Sequence, residues 1–342
     1  MRKLATIQRV SEIIPIEGAT TIELAKSRGW QYVVKKDEFN IGDAGVYFEI
    51  DSFLPVHDRY EFLRKSSYKS NDYMGEGFRI KTMRFMGNLS QGLFLPLASF
   101  GDVDFTGFSE GDDVTGLLDV RKWEVPESVT SGGIQKGEKP YGIPTTDEIR
   151  VQSAMELIDE LKNGDCGYVI TTKMDGTSCT IYHKDGEVGV CGRNFEYKDD
   201  EKCDMWKFAH NRELAEKLRT LGRNIAIQGE FCAPGIQKNR LRLNAPELFV
   251  FDIFDIDKME YAHFSEMMEV AQQLGLKVAD IEEEGETFNY SLDELLERAR
   301  GKYPGGKHKE GIVIRSKDIP NGRMHRISFK VINNDFLLKE ED

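Results

Sequence analysis

The sequence predicts an α+β protein in which a small N-terminal β-barrel precedes a larger domain of antiparallel sheets flanked by helices. Three observations support this prediction. The chain has 342 residues, enough for about two hydrophobic cores. Its first ~120 residues contain short strand-like runs with little helical periodicity. Farther along the chain, strand-like runs alternate with amphipathic helical ones, as mixed domains require.

The N-terminal domain, residues 1–125, contains apolar runs typical of strands at 30–34, 44–50 and 92–97. Turn-forming residues bound these runs, for example at 40–43 and 86–88. Several short strands in so small a module predict a barrel or a sandwich, and we favour a barrel of the OB type. Its cations Arg79, Lys81 and Arg84 are candidate phosphate contacts for a nucleic acid, although solvated surface is the commoner role of such side chains.

Residues 126–144 are predicted to be a linker or mobile loop, because 131–142 is rich in Gly, Lys and Pro. The second domain, 145–342, is then expected to begin with a helix. Thr145 or Thr146 would be its N-cap, and Asp147 and Glu148 would lie in its first turn, where acidic side chains are favoured.

In the rest of the second domain, strand-like runs alternate with segments that have the hydrophobic periodicity of a helix. Strands joined by turns are predicted over 167–193, and a helical pattern follows at 202–221. Two strands are then predicted at 225–231 and 247–254, followed by two helices at 265–274 and 292–299. The last predicted elements are two strands at 311–315 and 327–332.

Composition narrows the functional classes. The net charge of −13 argues against a general nucleic-acid coat, but local potential in a cleft matters more than the total. No apolar run approaches the roughly 20 residues of a membrane span, and the first residues lack the apolar stretch of a signal peptide. We therefore expect an intracellular protein with no membrane association, and the sequence indicates no obligate protein partner.

The five cysteines are odd in number and form no CxxC pair, so we predict buried free thiols rather than a disulfide framework or a zinc site. The six histidines are scattered without metal-ligand spacing, and we predict structural or surface roles for them.

The most informative segment is Lys-x-Asp-Gly, at Lys173-Met174-Asp175-Gly176, which ends a strand-like run. A lysine in this setting is a candidate covalent nucleophile. Its amine attacks phosphorus only when neutral, so we expect its surroundings to lower its pKa. It would also need a base pocket, ribose contacts, cations for the phosphates and carboxylates for a divalent metal.

The downstream chain offers a candidate for each need. Arg193 ends a strand about twenty residues after the lysine, and Glu230 lies near the end of another strand. Phe251 could stack on a purine, although an apolar core role is the commoner one for such a residue. Glu310 precedes a buried strand, and Lys330 lies in the last one.

These residues resemble the ordered motifs of the covalent nucleotidyltransferases, which include ATP-dependent RNA and DNA ligases and mRNA capping enzymes. The motifs run Lys-x-Asp-Gly, an arginine motif, a glutamate strand, an aromatic strand, Glu-Gly-x-Val and a terminal lysine strand. Counterparts of all six occur over about 145–335, and their order is far more specific than any one of them.

Within that superfamily the chain is most similar to ATP-dependent RNA ligases of the Naegleria-type group, which carry an OB domain before the adenylyltransferase domain. Residues 144–152 resemble the Thr-Asp-Glu-x-Arg segment that precedes the nucleophile in RNA ligases, and 87–93 resembles their N-terminal module. In DNA ligases and capping enzymes the OB domain generally follows the transferase domain. Because about twelve residues follow Lys330, we expect no such domain there.

The resemblance implies an enzyme that joins a 3′-hydroxyl RNA end to a 5′-phosphate end through lysyl–AMP and RNA-adenylate, in nick sealing or RNA repair. Its cofactors would be ATP and Mg²⁺ or Mn²⁺, and its partner would be RNA, including nicked duplexes. The residues it implies are listed by role: ATP contacts at Thr172, Lys173, Arg193, Glu230, Phe251, Lys330 and Arg326, metal contacts at Asp175, Glu230 and Glu310, and catalysis by Lys173, Asp175, Glu230, Glu310 and Lys330.

One departure from the family pattern is the terminal motif. Many relatives have Lys-x-Lys, whereas here Ser328 replaces the first lysine, and Arg326 is a candidate to compensate from the same strand face. The alternatives are a DNA ligase, an mRNA guanylyltransferase-like enzyme, and a nucleic-acid-binding relative that has lost catalysis.

Overall fold

The computed structural model describes residues 2–125, 133–320, 323 and 325–338. The chain divides into two compact units, one within 1–126 together with the C-terminal residues from 337, and one within 127–336. In the described residues the N-terminal unit has one short α-helix, α1 (Arg64–Ser67), two 3₁₀ helices at Asp58–Leu63 and Leu97–Phe100, and these strands: β1 Ala5–Arg9, β2 Glu12–Pro15, β3 Ile22–Ser27, β4 Trp30–Lys35, β5 Ala44–Glu49, β6 Ser52–Leu54, β7 Tyr68–Asn71, β8 Gly75–Arg79, β9 Met83–Phe85, β10 Asn88–Ser90, β11 Gly92–Pro96 and β12 Arg121–Lys122.

Short antiparallel sheets form the N-terminal unit, with strand orders β1-β5-β11, β2-β3-β4, β12-β6-β8-β7 and β9-β10. Aromatic side chains fill its interior, since Trp30, Tyr32, Tyr47, Phe48 and Phe78 are fully buried. Trp30 and Tyr32 alternate along β4 with less buried positions, because successive strand residues point to opposite faces. The three strand-like runs predicted from the sequence are β4, β5 and β11.

The second unit contains the strands β13 Gln135–Glu138, β14 Tyr168–Lys173, β15 Thr177–Lys184, β16 Glu187–Cys191, β17 Phe195–Tyr197, β18 Ile225–Cys232, β19 Glu247–Asp255, β20 Glu260–Tyr261, β21 Lys277–Val278, β22 Ile281–Gly285, β23 Gly311–Ser316 and β24 Ser328–Ile332. Its α-helices in the described residues are α2 Glu156–Asn163, α3 Asp204–Asn211, α4 Leu214–Leu221, α5 Phe264–Leu274 and α6 Leu292–Arg298, and α7 Asn334–Leu338 begins in this unit.

Two sheets organise this unit. The larger has the order β13-β17-β16-β15-β18-β19-β20, with β21 added in parallel to β19, and the smaller has the order β22-β14-β23-β24. Buried side chains of α3, α4 and α5 pack on the larger sheet, among them Phe208, Leu218 and Val270. Those of α2 and α6, including Ile158 and Leu295, pack on the smaller one. Antiparallel sheets covered by helices confirm the predicted α+β class.

The predicted helix after Thr145 and Thr146 is wrong. Residues 145–149 have no helical structure, and the next regular helix, α2, begins at Glu156. Tertiary contacts hold the segment beside β24. The Lys330 amide donates to the Ile149 carbonyl at 2.8 Å, and Arg150 forms a parallel β-bridge with Lys330. The side chain of Glu148 is bound by another strand and cannot serve a first helical turn.

Two further expectations are refined. The helical pattern at 202–221 forms two helices, α3 and α4, because Glu213 between them takes a left-handed φ of 54°. In the predicted linker, residues 126–132 lie outside the described part of the chain. The remaining part contains β13, which pairs with β17, so residues 135–138 form the edge of the larger sheet rather than a free connection.

All five cysteines are buried and free, as predicted. Among the described residues, none of the helices has the length and apolar character needed to cross a membrane.

Candidate active site

The nucleophile candidate Lys173 is the last residue of β14, where the strand register places it opposite Gly311 of β23. Glu310, the residue before that glycine, therefore lies beside the lysine. The Lys173 Nζ donates a hydrogen bond to the Glu310 Oε2 at 2.7 Å, and both side chains are about one-fifth exposed. Two sequence motifs separated by 137 positions thus form one ion pair through antiparallel pairing.

Glycine is required in both motifs because other backbone comes very close. A Cβ on Gly176 would lie 2.4 Å from the Phe231 carbonyl oxygen in β18, and one on Gly311 would lie 2.1 Å from the Val331 carbonyl oxygen in β24. Real Cβ atoms do not approach backbone oxygen so closely. At Gly176 the close approach also allows its amide to donate to the Glu230 Oε1 at 3.1 Å, which fixes that carboxylate near the lysine.

Tyr303 joins the two motifs, and no sequence pattern pointed to it. Its hydroxyl donates to the Lys173 carbonyl at 2.6 Å and accepts from the Glu310 amide at 3.1 Å. The residue is only 3% exposed. A buried hydroxyl that satisfies one donor and one acceptor fixes the spacing of the backbones carrying the ion pair.

The charge state of the nucleophile differs from the expectation. Burial disfavours its charged form, but the carboxylates of Glu310, Glu230 and Asp175 outweigh burial, so the pKa of Lys173 is raised rather than lowered. Burial in turn raises the pKa of Glu230 to about 7, with Lys173 acting in the opposite direction. These carboxylates therefore favour the ammonium form of the lysine.

Asp175 has a partner of its own. Its carboxylate forms an ion pair with the guanidinium of Arg240, and both side chains are largely buried. Burial nevertheless raises the pKa of Asp175 above its ordinary value. Arg240 lies on the loop between β18 and β19, which the sequence analysis did not connect with the site.

The three carboxylates predicted to bind metal share one negative region, since Glu310 raises the pKa of both Asp175 and Glu230. In the described residues no three acidic, histidine or cysteine side chains are close enough to chelate an ion directly. Carboxylate oxygens are donors that suit Mg²⁺, an ion that commonly keeps several of its waters, so the three side chains fit such an ion chemically.

The cleft beside Lys173 is lined by several of the other predicted residues, namely Thr172, Arg193, Glu230, Phe251 and Lys330. Phe251 of β19 is partly exposed there, whereas the Thr172 hydroxyl donates to Glu282 at 2.7 Å. The exposed Arg193 lies 3.4 Å from Asp147. Burial, followed by the charges of Lys173 and Arg150, lowers the pKa of Lys330 to about 8.

Arg326 does not lie where it was expected. β24 begins at Ser328, and Arg326 pairs with Asp252 and stacks 4.2 Å from the ring centre of Tyr261, in a second small cavity. It is not among the residues that line the cleft beside Lys173, and its predicted contact with ATP stays a prediction. Its buried guanidinium forms an ion pair with the Asp252 carboxylate.

Ser328 is part of a different arrangement. Its hydroxyl donates to the Glu148 Oε2 at 2.7 Å, while Arg315, opposite it in the β23–β24 register, donates to the Glu148 Oε1 at 2.8 Å. The Arg315 guanidinium lies 5.1 Å from the ring centre of Phe251 and lines the cleft. The positive charge near position 328 therefore comes from Arg315 of β23, the strand that pairs with β24.

The three predicted RNA contacts belong to the N-terminal unit. Arg79 of β8 pairs with Asp51 at 2.9 Å and lies 5.3 Å from the ring centre of Trp123. Lys81 and Arg84 are exposed. Two of the three side chains are thus accessible to a phosphate backbone, and the role of all three stays a prediction.

A lysine beside three carboxylates, in a cleft between two antiparallel sheets, defines a covalent nucleotidyltransferase. Family models agree: an OB-fold domain model matches residues 4–97, and an RNA ligase model matches 167–332. The chain is similar over its whole length to solved structures of the Naegleria gruberi RNA ligase. It therefore belongs to the RNA ligase family.

These structures differ in what they contain. The Naegleria gruberi ligase with PPi is 39% identical, each chain is covered to 100%, and the TM-score is 0.83. A variant with ATP and Mn is 40% identical with 100% of each chain covered and a TM-score of 0.83. A variant with AMP and Mn is 38% identical with 99% of each chain covered and a TM-score of 0.85. Comparison with curated protein sequences gave no significant match.

Proposed function

We propose that this protein is an ATP-dependent RNA ligase that joins a 3′-hydroxyl RNA end to a 5′-phosphate end through lysyl–AMP and RNA-adenylate intermediates. The observation that carries the proposal is the Lys173 Nζ held 2.7 Å from Glu310 in a cleft that Phe251 also lines. The relatives solved with ATP and Mn support the choice of ATP and of a divalent metal such as Mn²⁺ or Mg²⁺.

In the first step, the lone pair of the neutral Lys173 amine forms a bond to the α-phosphorus of ATP. The bond from that phosphorus to the oxygen bridging the β-phosphate breaks, and pyrophosphate leaves with the electron pair. The nitrogen loses a proton, which Glu310 is placed to accept at 2.7 Å. A lysyl–AMP phosphoramidate results.

In the second step, an oxygen of the RNA 5′-phosphate attacks the same phosphorus, and the bond to the Lys173 nitrogen breaks as that nitrogen regains a proton. In the third, the RNA 3′-hydroxyl attacks the 5′-phosphate, loses its proton, and expels AMP. Lys330 and Arg315 line the cleft, where positive charge stabilises the phosphate oxygens as negative charge develops.

Mg²⁺ or Mn²⁺ supplies positive charge that offsets the carboxylates and so favours the neutral form of the lysine. Asp175, Glu230 and Glu310 are the residues that we propose to hold it through its waters. Phe251 is proposed to stack on the adenine, and Arg193 and Glu230 to contact the ribose.

Labelled nucleotide tests the first step. Wild-type protein incubated with ATP labelled at the α-phosphate should form a covalent adduct, and the Lys173→Ala variant should form none. GTP labelled in the same way should give little adduct, whereas efficient guanylylation would favour a capping-type enzyme. An adduct of undiminished yield in the variant would show that another residue is the nucleophile.

Sealing assays test the substrate. We expect nicked duplexes with an RNA 3′-hydroxyl strand to be joined to a 5′-phosphate strand, and DNA 3′-ends to be joined less well. Glu310→Ala should abolish sealing without removing the fold, as judged by circular dichroism. Formation of the adduct without any sealing of RNA would refute the ligase activity but retain the transferase.

We also propose an intracellular location. Five buried cysteines that are free, rather than paired in disulfides, are typical of proteins from reducing compartments. Fractionation of the source cells, with detection by antibody, tests this proposal.

A further inference from the structure

Arg240 places a positive charge next to Asp175, one of the three carboxylates proposed to hold the metal. Its guanidinium is paired with Asp175 of the Lys-x-Asp-Gly motif, and the exposed fractions of the two side chains are only 12% and 8%. A pair so far removed from water is an electrostatic element of the site, because little solvent screens it.

The loop that carries Arg240 is built to hold it there. The Gln237 side chain donates to the Gly176 carbonyl at 3.2 Å, which ties the loop to the nucleophile motif. Asn239 closes the turn by a reciprocal pair of hydrogen bonds with Leu243, at 2.9 and 3.0 Å. The Arg240 guanidinium also lies 4.5 Å from the ring centre of Phe336, a favourable cation–π distance.

The charges around the motif explain what this arrangement can do. The site has three carboxylates, those of Asp175, Glu230 and Glu310. Glu310 is paired with Lys173, and Asp175 is paired with Arg240. A divalent ion that approaches Asp175 must therefore compete with a fixed guanidinium and is repelled by it at short range. ATP brings negative charge with its metal, and this charge weakens that repulsion.

We propose that Arg240 is an internal counter-cation of Asp175 that the divalent metal must displace, so that metal alone binds weakly and enters mainly with ATP. The proposal rests on the metal-dependent adenylylation proposed above. Arg240 acts through Asp175 and is a positioning residue. Displacement also frees its positive charge beside the motif that carries Lys173.

Mn²⁺ binding to the full-length, nucleotide-free protein tests this. The protein is first cleared of bound AMP with pyrophosphate and dialysed, and free Mn²⁺ is then followed by electron paramagnetic resonance. Arg240→Gln should bind Mn²⁺ about tenfold more tightly than wild type, because a like charge near Asp175 is removed. Arg240→Lys, which keeps the charge, should stay near wild type.

Arg242→Gln is the matched control, because it removes the same charge from an exposed position in the same loop. Its Mn²⁺ affinity should be unchanged. Equal or weaker Mn²⁺ binding by Arg240→Gln would overturn the proposal, and so would equal gains in the two glutamine variants. Circular dichroism establishes that each variant is folded.

A measurement on the wild-type protein does not depend on any variant folding. Phenylglyoxal modifies accessible arginines, and peptide mass spectrometry quantifies the fraction of Arg240 modified. Saturating Mn²⁺ with a non-hydrolysable ATP analogue should increase that fraction several-fold, and an unchanged fraction would count against displacement. Because lysyl–AMP formation is scored separately with labelled ATP, failure of this inference is distinguishable from failure of the proposed function.

Discussion

Replacing Tyr303 by Phe removes one oxygen atom from the centre of the site and leaves the aromatic ring in place. That oxygen makes two hydrogen bonds, a donation to the Lys173 carbonyl at 2.6 Å and an acceptance from the Glu310 amide at 3.1 Å. Both backbone groups belong to the strand ends that carry the nucleophile ion pair. The variant should therefore affect stability and nucleophile placement together.

The expected loss in the free energy of unfolding follows from the number of hydrogen bonds that are removed. A typical hydrogen bond contributes ~0.5–1.5 kcal/mol net, so two of them at a 3% exposed residue predict a loss of about 1–3 kcal/mol in the free energy of unfolding. The backbones can also separate once they are no longer bridged. Small misplacements of reacting groups are costly, so we expect adenylylation to slow on the order of tenfold.

Single-turnover formation of the lysyl–AMP adduct and urea unfolding measure the two effects. Tyr290→Phe is the matched control, because its hydroxyl donates to the Glu283 carboxylate at 2.8 Å, and Glu283 is not part of the cleft lining. The control should lose some stability but keep the wild-type adenylylation rate. If Tyr303→Phe adenylylates as fast as wild type, the bridge has no role in placing Lys173.

Three other predictions can be checked with the same assays. Gly176→Ala should fold poorly or lose the adduct, since its Cβ would lie 2.4 Å from the Phe231 carbonyl oxygen; a wild-type melting temperature together with a wild-type adduct yield would contradict this. Ser328→Lys should not raise the adenylylation rate, because Ser328 is bonded to Glu148 and Arg315 already supplies the nearby cation; a faster enzyme would show that a phosphate contact is missing. Burial alone would raise the pKa of Glu283, but hydrogen bonds from Tyr168 and Tyr290 and the charge of Arg298 outweigh burial and lower it. The ionised Glu283 side chain therefore stabilises the fold above the ordinary pKa of 4.5, and this stabilisation is lost as the pH falls through the lower folded-state pKa. The urea midpoint of wild type should accordingly exceed that of Glu283→Gln at pH 7, and this difference should shrink below pH 4.5.

Local patterns were sufficient for most of the regular structure. Short apolar runs, several of them bounded by turn-forming residues, predicted β4, β5, β11, β18, β19, β23 and β24, because such runs are typical of buried strands. The main failure, the helix expected after Thr145, shows the limit of capping signals. Contacts of Glu148 with Arg315 and Ser328, and of Ile149 with Lys330, override that local preference.

The sequence alone determined the nucleophile motif, the order of the motifs after it and the family, because covalent chemistry at phosphorus needs particular residue types in a particular sequence of strands. Only the tertiary structure placed Tyr303, Arg240 and Arg315 at the site, since none of them was among the residues that the motifs singled out. It also decided the charge of Lys173. A pKa depends on burial and on every nearby charge, and those distances exist only after the strands have paired.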